Sequence, residues 1–456
     1  MKVVFKRCIF IFFSLVVAAQ VQASAILLGG HGDTLSLLLV QDDGSISEIG
    51  SWSYSEELDD PLISPIHNIF DIQAHPTNGM VYVSSAQPGY SGDIGSWGNA
   101  RIDKFTLQGA AITHMGAAIK FDLETFPNDI GDSEDIESGG NSQLTCSGFT
   151  SEYTENDVTY TQVGEQMPSD FIFSTDGTRM YIDDDCEDAV IIASVDEAGD
   201  AEFIHVGGDT SAHGFAYRDE LLYHGAIVFD VSGDTVTQVA SDGSGTEQMF
   251  LSTGQYAYIR GGGGGSFRIA DVAAEVITDV DTVELSGNGI LDFATADEAT
   301  FFLGGREQVG LVEYDGTTLT LLAEQAVDIR VNGDVSTVRG VEAFEAGGSL
   351  MGVGAVFSPG DDATFESNGS EFIVYDLSGG SITEVSSFAA TGQARAVLLL
   401  AEGGVAVVGN NYAIDSGPTV DSGPTVPVPV MAPWLIGALA GILGLFGALV
   451  GRRFRS

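Results

Sequence analysis

Two acidic clusters are the residues of this chain whose types and spacing could bind a metal ion. The first contains Asp129, Asp132 and Asp135, and the second runs over residues 183–188. Calcium prefers carboxylate oxygens in flexible segments, so Asp129, Asp132 and Asp135 are candidate calcium ligands. Neither cluster has the spacing of an EF-hand loop. A solvated acidic surface is therefore favoured over calcium binding, and no other cofactor is expected.

Other residue types that support catalysis do not form a recognisable motif. The seven histidines are His31, His67, His75, His114, His205, His213 and His224. They contain no HxH or HExxH pair, so ordinary histidines are favoured over a metal site. The glycine run 261–265 lacks the Lys-Ser/Thr pair of a phosphate-binding loop. No catalytic residue can be assigned from the sequence.

Three cysteines are present, and two of them could form a disulfide. Cys8 lies in the N-terminal apolar segment, which leaves Cys146 and Cys186 in the rest of the chain. An even number of cysteines in an oxidising compartment favours a Cys146–Cys186 disulfide. Two free buried thiols are the alternative.

The charge balance excludes nucleic acid as a partner. The chain has 65 Asp and Glu residues against 17 Lys and Arg residues. Nucleic-acid binding needs clustered basic side chains that displace phosphate counterions. An acidic surface of this kind is typical of a soluble protein in a salty or divalent-rich exterior.

Both chain ends predict export and membrane attachment. Residues 1–23 have a basic start, an apolar run and small residues before Ser24, the pattern of a secretory signal peptide. A Gly/Pro/Ser/Thr linker is predicted over 412–430, followed by a transmembrane helix over 431–451. The basic tail 452–456 then stays in the cytoplasm by the positive-inside rule. The anchor residues are Trp434 at the outer interface and Arg452, Arg453 and Arg455.

This C-terminal region resembles the PEP-CTERM and IPTL-CTERM sorting signals of bacteria. The short proline motif is Val426, Pro427, Val428 and Pro429, which lacks the Glu of Pro-Glu-Pro. The resemblance implies processing by an exosortase-type enzyme. It also implies delivery from the periplasmic side of the inner membrane of a Gram-negative bacterium to the cell surface or matrix.

Residues 24–411 predict an all-β domain with four-stranded units. Short apolar runs such as 34–40 and 311–314 are bounded by Gly, Asp and Asn, the pattern of strands and hairpins. The units are predicted near 69–120, 171–206, 214–239, 247–285, 290–325 and 340–388. Two final strands remain, and the run 25–52 supplies their partners. This arrangement closes a seven-bladed β-propeller. An acidic insertion is expected at about 121–168.

The strand–turn–strand phrases 70–83 and 171–182 resemble those of YVTN-repeat, WD40-like and lactonase-like seven-bladed propellers. A β-helix or two stacked sandwiches are the structural alternatives. The leading functional hypothesis is a non-catalytic surface or matrix module that binds a polysaccharide or protein. The rival is a periplasmic or surface lactonase-like hydrolase with a channel carboxylate or metal site. Three or more convergent His, Asp, Glu or Asn side chains in the channel would favour the hydrolase.

Overall fold

The structure is a computed structural model that describes most of the region between the two chain ends. It describes residues 25–57, 68–88, 97–121, 150–155, 158–163, 168–184, 189–207, 214–241, 245–260, 265–273, 276–286, 289–329, 336–359, 367–402 and 405–406. The predicted leader, linker, membrane helix and basic tail lie outside these residues. So do Asp129, Asp132, Asp135, Cys146 and Cys186. Within the described ranges, no helix is long and apolar enough to cross a bilayer.

The chain begins with three antiparallel strands and one helical turn. These are β1 (Ala25–His31), β2 (Thr34–Val40), β3 (Ile46–Ser53) and α1 (Tyr54–Glu57). Blade 2 contains β4 (Asn68–Ala74), β5 (Val81–Pro88), β6 (Trp97–Gln108) and β7 (Ala111–Lys120). A separate hairpin follows, formed by β8 (Thr150–Glu155) and β9 (Val158–Val163).

Blades 3, 4 and 5 are successive four-stranded sheets. Blade 3 contains β10 (Pro168–Phe173), β11 (Arg179–Asp184), β12 (Ala189–Val195) and β13 (Ala201–Gly207). Blade 4 contains β14 (Ala216–Arg218), β15 (Leu221–His224), β16 (Ile227–Asp230) and β17 (Thr237–Ser241). Blade 5 contains β18 (Gly245–Phe250), β19 (Tyr256–Arg260), β20 (Ser266–Ala273) and β21 (Val276–Val283).

Blades 6 and 7 repeat the pattern, and two last strands return to the chain start. Blade 6 contains β22 (Ile290–Thr295), β23 (Thr300–Gly305), β24 (Gln308–Tyr314) and β25 (Leu319–Ala326). Blade 7 contains β26 (Thr337–Ala346), β27 (Ser349–Pro359), β28 (Ser367–Asp376), a 3-10 turn (Ser378–Gly380) and β29 (Thr383–Ala389). The chain then forms β30 (Ala394–Glu402) and β31 (Val405–Ala406).

Blade 1 joins the two ends of the domain. Its strand order is β3-β2-β1-β30-β31, and β1 pairs with β30 in a register that runs from Ala25 opposite Glu402 to His31 opposite Ala394. The domain is therefore an all-β, seven-bladed β-propeller, and the predicted closure by the N-terminal run is confirmed. Ring closure leaves only short sheet edges, and the inner edges line the channel, where they are protected from pairing with other chains.

Each pair of neighbouring blades buries its own apolar cluster. The described residues form seven such clusters, one between every two adjacent blades. Strand β1 shows how the sequence supplies them. Ile26 and Leu28 face blade 2, whereas Ala25 and Leu27 face blade 7. Successive strand residues point to opposite sheet faces, so a strand buried on both faces is apolar throughout.

The propeller has two faces, which we call the start face and the turn face. At the start face each innermost strand, β4, β10, β14, β18, β22, β26 or β30, begins. At the turn face each of them except β30 turns into the second strand of its blade, whereas β30 turns into β31. Because the blades are antiparallel, the turns between third and fourth strands also lie at the turn face.

Replacing Gly29 by valine tests the seam between blades 7 and 1. A Cβ atom at Gly29 would lie 2.6 Å from Cζ of Phe372, a fully buried ring. Phe372 would have to shift, at a cost of roughly 1–3 kcal/mol. We expect the melting temperature to fall in calorimetry. Gly233→Val, at a position with open space, is the control. Equal melting temperatures for both variants would contradict this packing.

Candidate functional site

Carboxylates from five blades converge in the central channel. They are Asp71, Asp170, Glu247, Asp292 and Glu342, on the innermost strands of blades 2, 3, 5, 6 and 7. The charges of the other four all act on Glu247, which places the group together. Five convergent acids exceed the criterion of three convergent polar side chains that would favour a hydrolase.

A repeated β-bulge positions three of these acids. Asp71, Asp170 and Asp292 each directly follow a register shift between the first two strands of their blade. A bulge leaves one residue unpaired and redirects the side chains beside it. The same backbone irregularity therefore brings an aspartate to the same level of the channel in blades 2, 3 and 6.

Asp71 and Asp292 connect neighbouring blades. One oxygen of Asp292 accepts the N–H of Phe293 at 2.7 Å, and the other accepts the N–H of Val341 in blade 7 at 2.6 Å. Asp71 repeats this pattern with the N–H of Ile72 at 2.7 Å and of Phe171 in blade 3 at 3.2 Å. These carboxylates satisfy backbone donors that the bulges leave free.

Glu342 makes a similar connection at the closing seam. Its Oε1 accepts the N–H of Leu399 in β30 at 3.0 Å. Three of the five acids therefore have a structural role, because each one accepts a backbone N–H from the next blade around the ring.

Glu247 differs from the other four acids. It is itself the bulged residue of β18, with a left-handed φ of 30°. Left-handed backbone is uncommon and strained for a residue other than glycine. A Cβ built on Gly214 would lie 3.1 Å from Oε2 of Glu247, so the carboxyl occupies space that a side chain in blade 4 would fill. Among the described residues, no hydrogen bond satisfies this carboxyl.

Burial raises the pKa values of four channel acids, and the charges of neighbouring acids raise those of Glu247 and Asp292 further. Burial raises the pKa of Glu247 well above its usual range, and the charges of Asp292, Asp170, Asp71 and Glu342 raise it further. Burial also raises the pKa of Asp292 well above normal. For Asp71 burial raises the pKa to about 6, and for Glu342 to about 7. The channel therefore brings together carboxyls whose pKa values are shifted upward to different extents.

The sequence candidates for a metal are not assembled by the described part of the chain. Among the described residues, no group of three or more His, Cys, Asp or Glu side chains is arranged to hold a metal ion. The calcium candidates lie outside those residues, as do His67 and His213. Four other histidines, His31, His75, His114 and His224, each hydrogen-bond a neighbouring turn or strand. They help to hold the scaffold.

The channel acids were not singled out as site residues from the sequence. Successive channel acids are about 50 to 100 residues apart in the sequence. In its own segment, each one is a single polar residue within a strand. A signal was nevertheless present. Once the blades are aligned, an acid recurs in the first strand of blades 2, 3, 5 and 6.

Comparison with solved structures finds the same fold in three bacterial proteins. The periplasmic gluconolactonase of Pseudomonas aeruginosa matches with 12% identity and a TM-score of 0.55, over 83% of this chain and 99% of that chain. A putative 6-phosphogluconolactonase from Bacteroides uniformis matches with 10% identity and a TM-score of 0.51, over 83% and 99%. Another, from Bacteroides fragilis, matches with 11% identity and a TM-score of 0.50, over 83% and 98%.

These likenesses establish a shared fold with lactonase-like propellers. No protein-family model and no curated protein sequence matches the chain.

The raised pKa values of Asp71, about 6, and Glu342, about 7, predict that these carboxyls make the fold less stable as pH increases from about 4.5 to about 7. In this range the folded state retains protons that the unfolded carboxyls have already lost, so rising pH favours unfolding. The lowered pKa values of His31 and His75 act in the opposite direction over the part of this range below their ordinary pKa. We expect Glu247→Gln to reduce the pH dependence of the melting temperature and to raise that temperature at pH 8.5.

Differential scanning calorimetry at several pH values measures this effect. Glu284→Gln, an exposed change at the end of the same blade, is the control and should keep the wild-type slope. A wild-type melting temperature that rises steadily over this pH range would contradict the prediction.

Proposed function

We propose that this protein is a lactonase-like hydrolase whose catalytic centre is the acidic channel. The observation that supports the proposal best is Glu247, a strained carboxyl without a hydrogen-bond partner among the described residues, surrounded by four other acids. Strained backbone and strongly shifted pKa values occur together at catalytic sites more often than elsewhere. The fold shared with gluconolactonase and putative 6-phosphogluconolactonases agrees with this reaction class.

Lactone hydrolysis needs a proton donor and a proton acceptor, and the channel offers both. Water adds to the ring carbonyl, the ring C–O bond breaks, and the products are a carboxylate and a hydroxyl group. Glu247, whose pKa is raised well above its usual range, is the proposed general acid for the departing ring oxygen. Asp71, with a pKa of about 6, is ionised at neutral pH and is the proposed acceptor for the proton of the attacking water.

The non-catalytic surface module explains the channel less well. A purely structural channel could be filled by apolar side chains. Five acids that converge in a channel lower the stability of the fold, and a cost of this kind is typical of a functional site. The Asp71, Asp292 and Glu342 hydrogen bonds account for three of the acids. They do not account for Glu247.

We further propose that the hydrolase acts outside the cytoplasm. The leader at 1–23, the apolar stretch at 431–451 and the terminal arginines support export with membrane attachment. Sorting through Val426, Pro427, Val428 and Pro429 to the cell surface is part of this proposal, as is a Cys146–Cys186 disulfide. The fold similarity to a periplasmic enzyme is in keeping with an exported location.

Glu247→Gln tests the catalytic proposal. The purified protein should hydrolyse glucono-δ-lactone, and the variant should lose roughly 100-fold or more in kcat/KM because glutamine cannot donate a proton. Glu284→Gln should keep wild-type activity. Hydrolysis is followed by proton release in a weakly buffered solution. The proposal fails if the wild-type protein hydrolyses no lactone, or if Glu247→Gln is fully active.

Mass spectrometry of the protein from bacterial fractions tests the proposed location. We expect a mature N-terminus at Ser24 in membrane or surface fractions. If sorting occurs, the surface form should end before residue 431. An uncut leader on protein in the cytosol would contradict export, and an intact Ser456 on surface protein would contradict sorting.

A further inference from the structure

A second cavity lies away from the channel acids, at the turn face between blades 3 and 4. Its volume is about 340 Å³. Blade 3 contributes the turn after β10, and blade 4 contributes the turns after β14 and β16. The lining is rich in hydroxyl groups and includes two aromatic rings, Tyr181 and Tyr217, which stack with centroids 5.3 Å apart.

The walls of this cavity are held in place by hydrogen bonds. Asp176 accepts the hydroxyl of Ser174 at 2.7 Å and the N–H of Thr178 at 3.0 Å, which fixes the blade 3 turn. Arg179 of blade 3 reaches blade 4, where it pairs with Asp234 at 2.8 Å. The cavity is therefore bounded on both sides by ordered turns.

At the seam between blades 5 and 6, the turns after the first strands are joined by hydrogen bonds. There, Glu298 in the turn after β22 accepts the N–H of Ser252 at 2.9 Å, and it also accepts the Ser252 hydroxyl. These bonds join the two turns directly. At the seam between blades 3 and 4, the turn after β10 carries Thr175 and the shorter, two-residue turn after β14 carries Glu220. Both residues line the cavity, and among the described residues no hydrogen bond joins their side chains.

Glu220 is also held in a strained turn. Asp219 and Glu220 have φ values of 53° and 65°, a left-handed pair for which Asn-Gly is the favoured sequence. Strain of this kind persists where it positions a functional group. The result is an exposed carboxylate held at the edge of a hydroxyl-lined cavity that Thr175 also lines.

We propose that this cavity binds a sugar residue of a neutral saccharide. Adjacent sugar hydroxyls donate to the Glu220 carboxylate and accept from Thr175, replacing the direct contact seen between Glu298 and Ser252. The half-buried Tyr217 offers a ring against which the apolar face of a pyranose packs. The volume suits one or two sugar rings. The site is separate from the channel and does not depend on the proposed hydrolysis.

Isothermal titration with three methyl glycosides, of glucose, galactose and N-acetylglucosamine, tests the site on the full-length protein. We expect at least one to bind with a Kd in the range of about 1 mM. Glu220→Gln should weaken that binding by about tenfold or more, because a hydrogen bond to a charged acceptor is lost. Glucono-δ-lactone hydrolysis should be unchanged in this variant.

Glu298→Gln is the matched control. It makes the same chemical change in a similar turn, so sugar affinity should stay at the wild-type value while the melting temperature falls with the weaker Ser252 contact. Absence of binding by all three glycosides would overturn the proposal. Binding that Glu220→Gln leaves unchanged would overturn the assignment to this cavity.

Discussion

Burial between neighbouring blades is the interaction on which the rest of this structure depends. Each blade is a small sheet with apolar side chains on both faces, so no blade can cover its own core. Seven seams bury these faces in turn, and each blade is stabilised only by the two beside it. Pairing of β1 with β30 completes the last seam and holds the innermost strands in a ring around one channel.

The closed ring explains why the channel acids both accept backbone N–H groups and have raised pKa values. Bulges in the innermost strands redirect backbone N–H groups, and acids of preceding blades accept them, as Asp292 does for Val341. Once such carboxylates line a closed channel, burial raises their pKa values, and the charges of neighbouring acids raise those of Glu247 and Asp292 further. The carboxyl of Glu247 has no hydrogen bond of its own among the described residues. Ordinary sheet geometry thus gives the fold a buried carboxyl with a strongly raised pKa.

The blade pattern was readable from the sequence, whereas the site was not. The predicted strand 34–40 coincides with β2, and the predicted unit 69–120 differs from blade 2 by one residue, because apolar alternation and turn residues are local signals. Channel lining is a property of the closed ring. Asp71 in blade 2 and Glu247 in blade 5 are separated by three blade seams, and no local sequence pattern shows that both face the same channel. The predictions for Cys146, Cys186 and both chain ends concern residues outside the described part.

The pairing of β1 with β30 also sets the order of events during synthesis. The first strands of the domain leave the ribosome long before their partner, so they must remain without a completed sheet until residue 394 and beyond have been made. Pairing two segments so far apart in the sequence has a loop-closure entropy cost, and this cost slows folding. A chain that stops before β30 cannot complete blade 1, and its β1 edge stays open to pairing with other chains. The ring therefore closes only when the whole domain has been made.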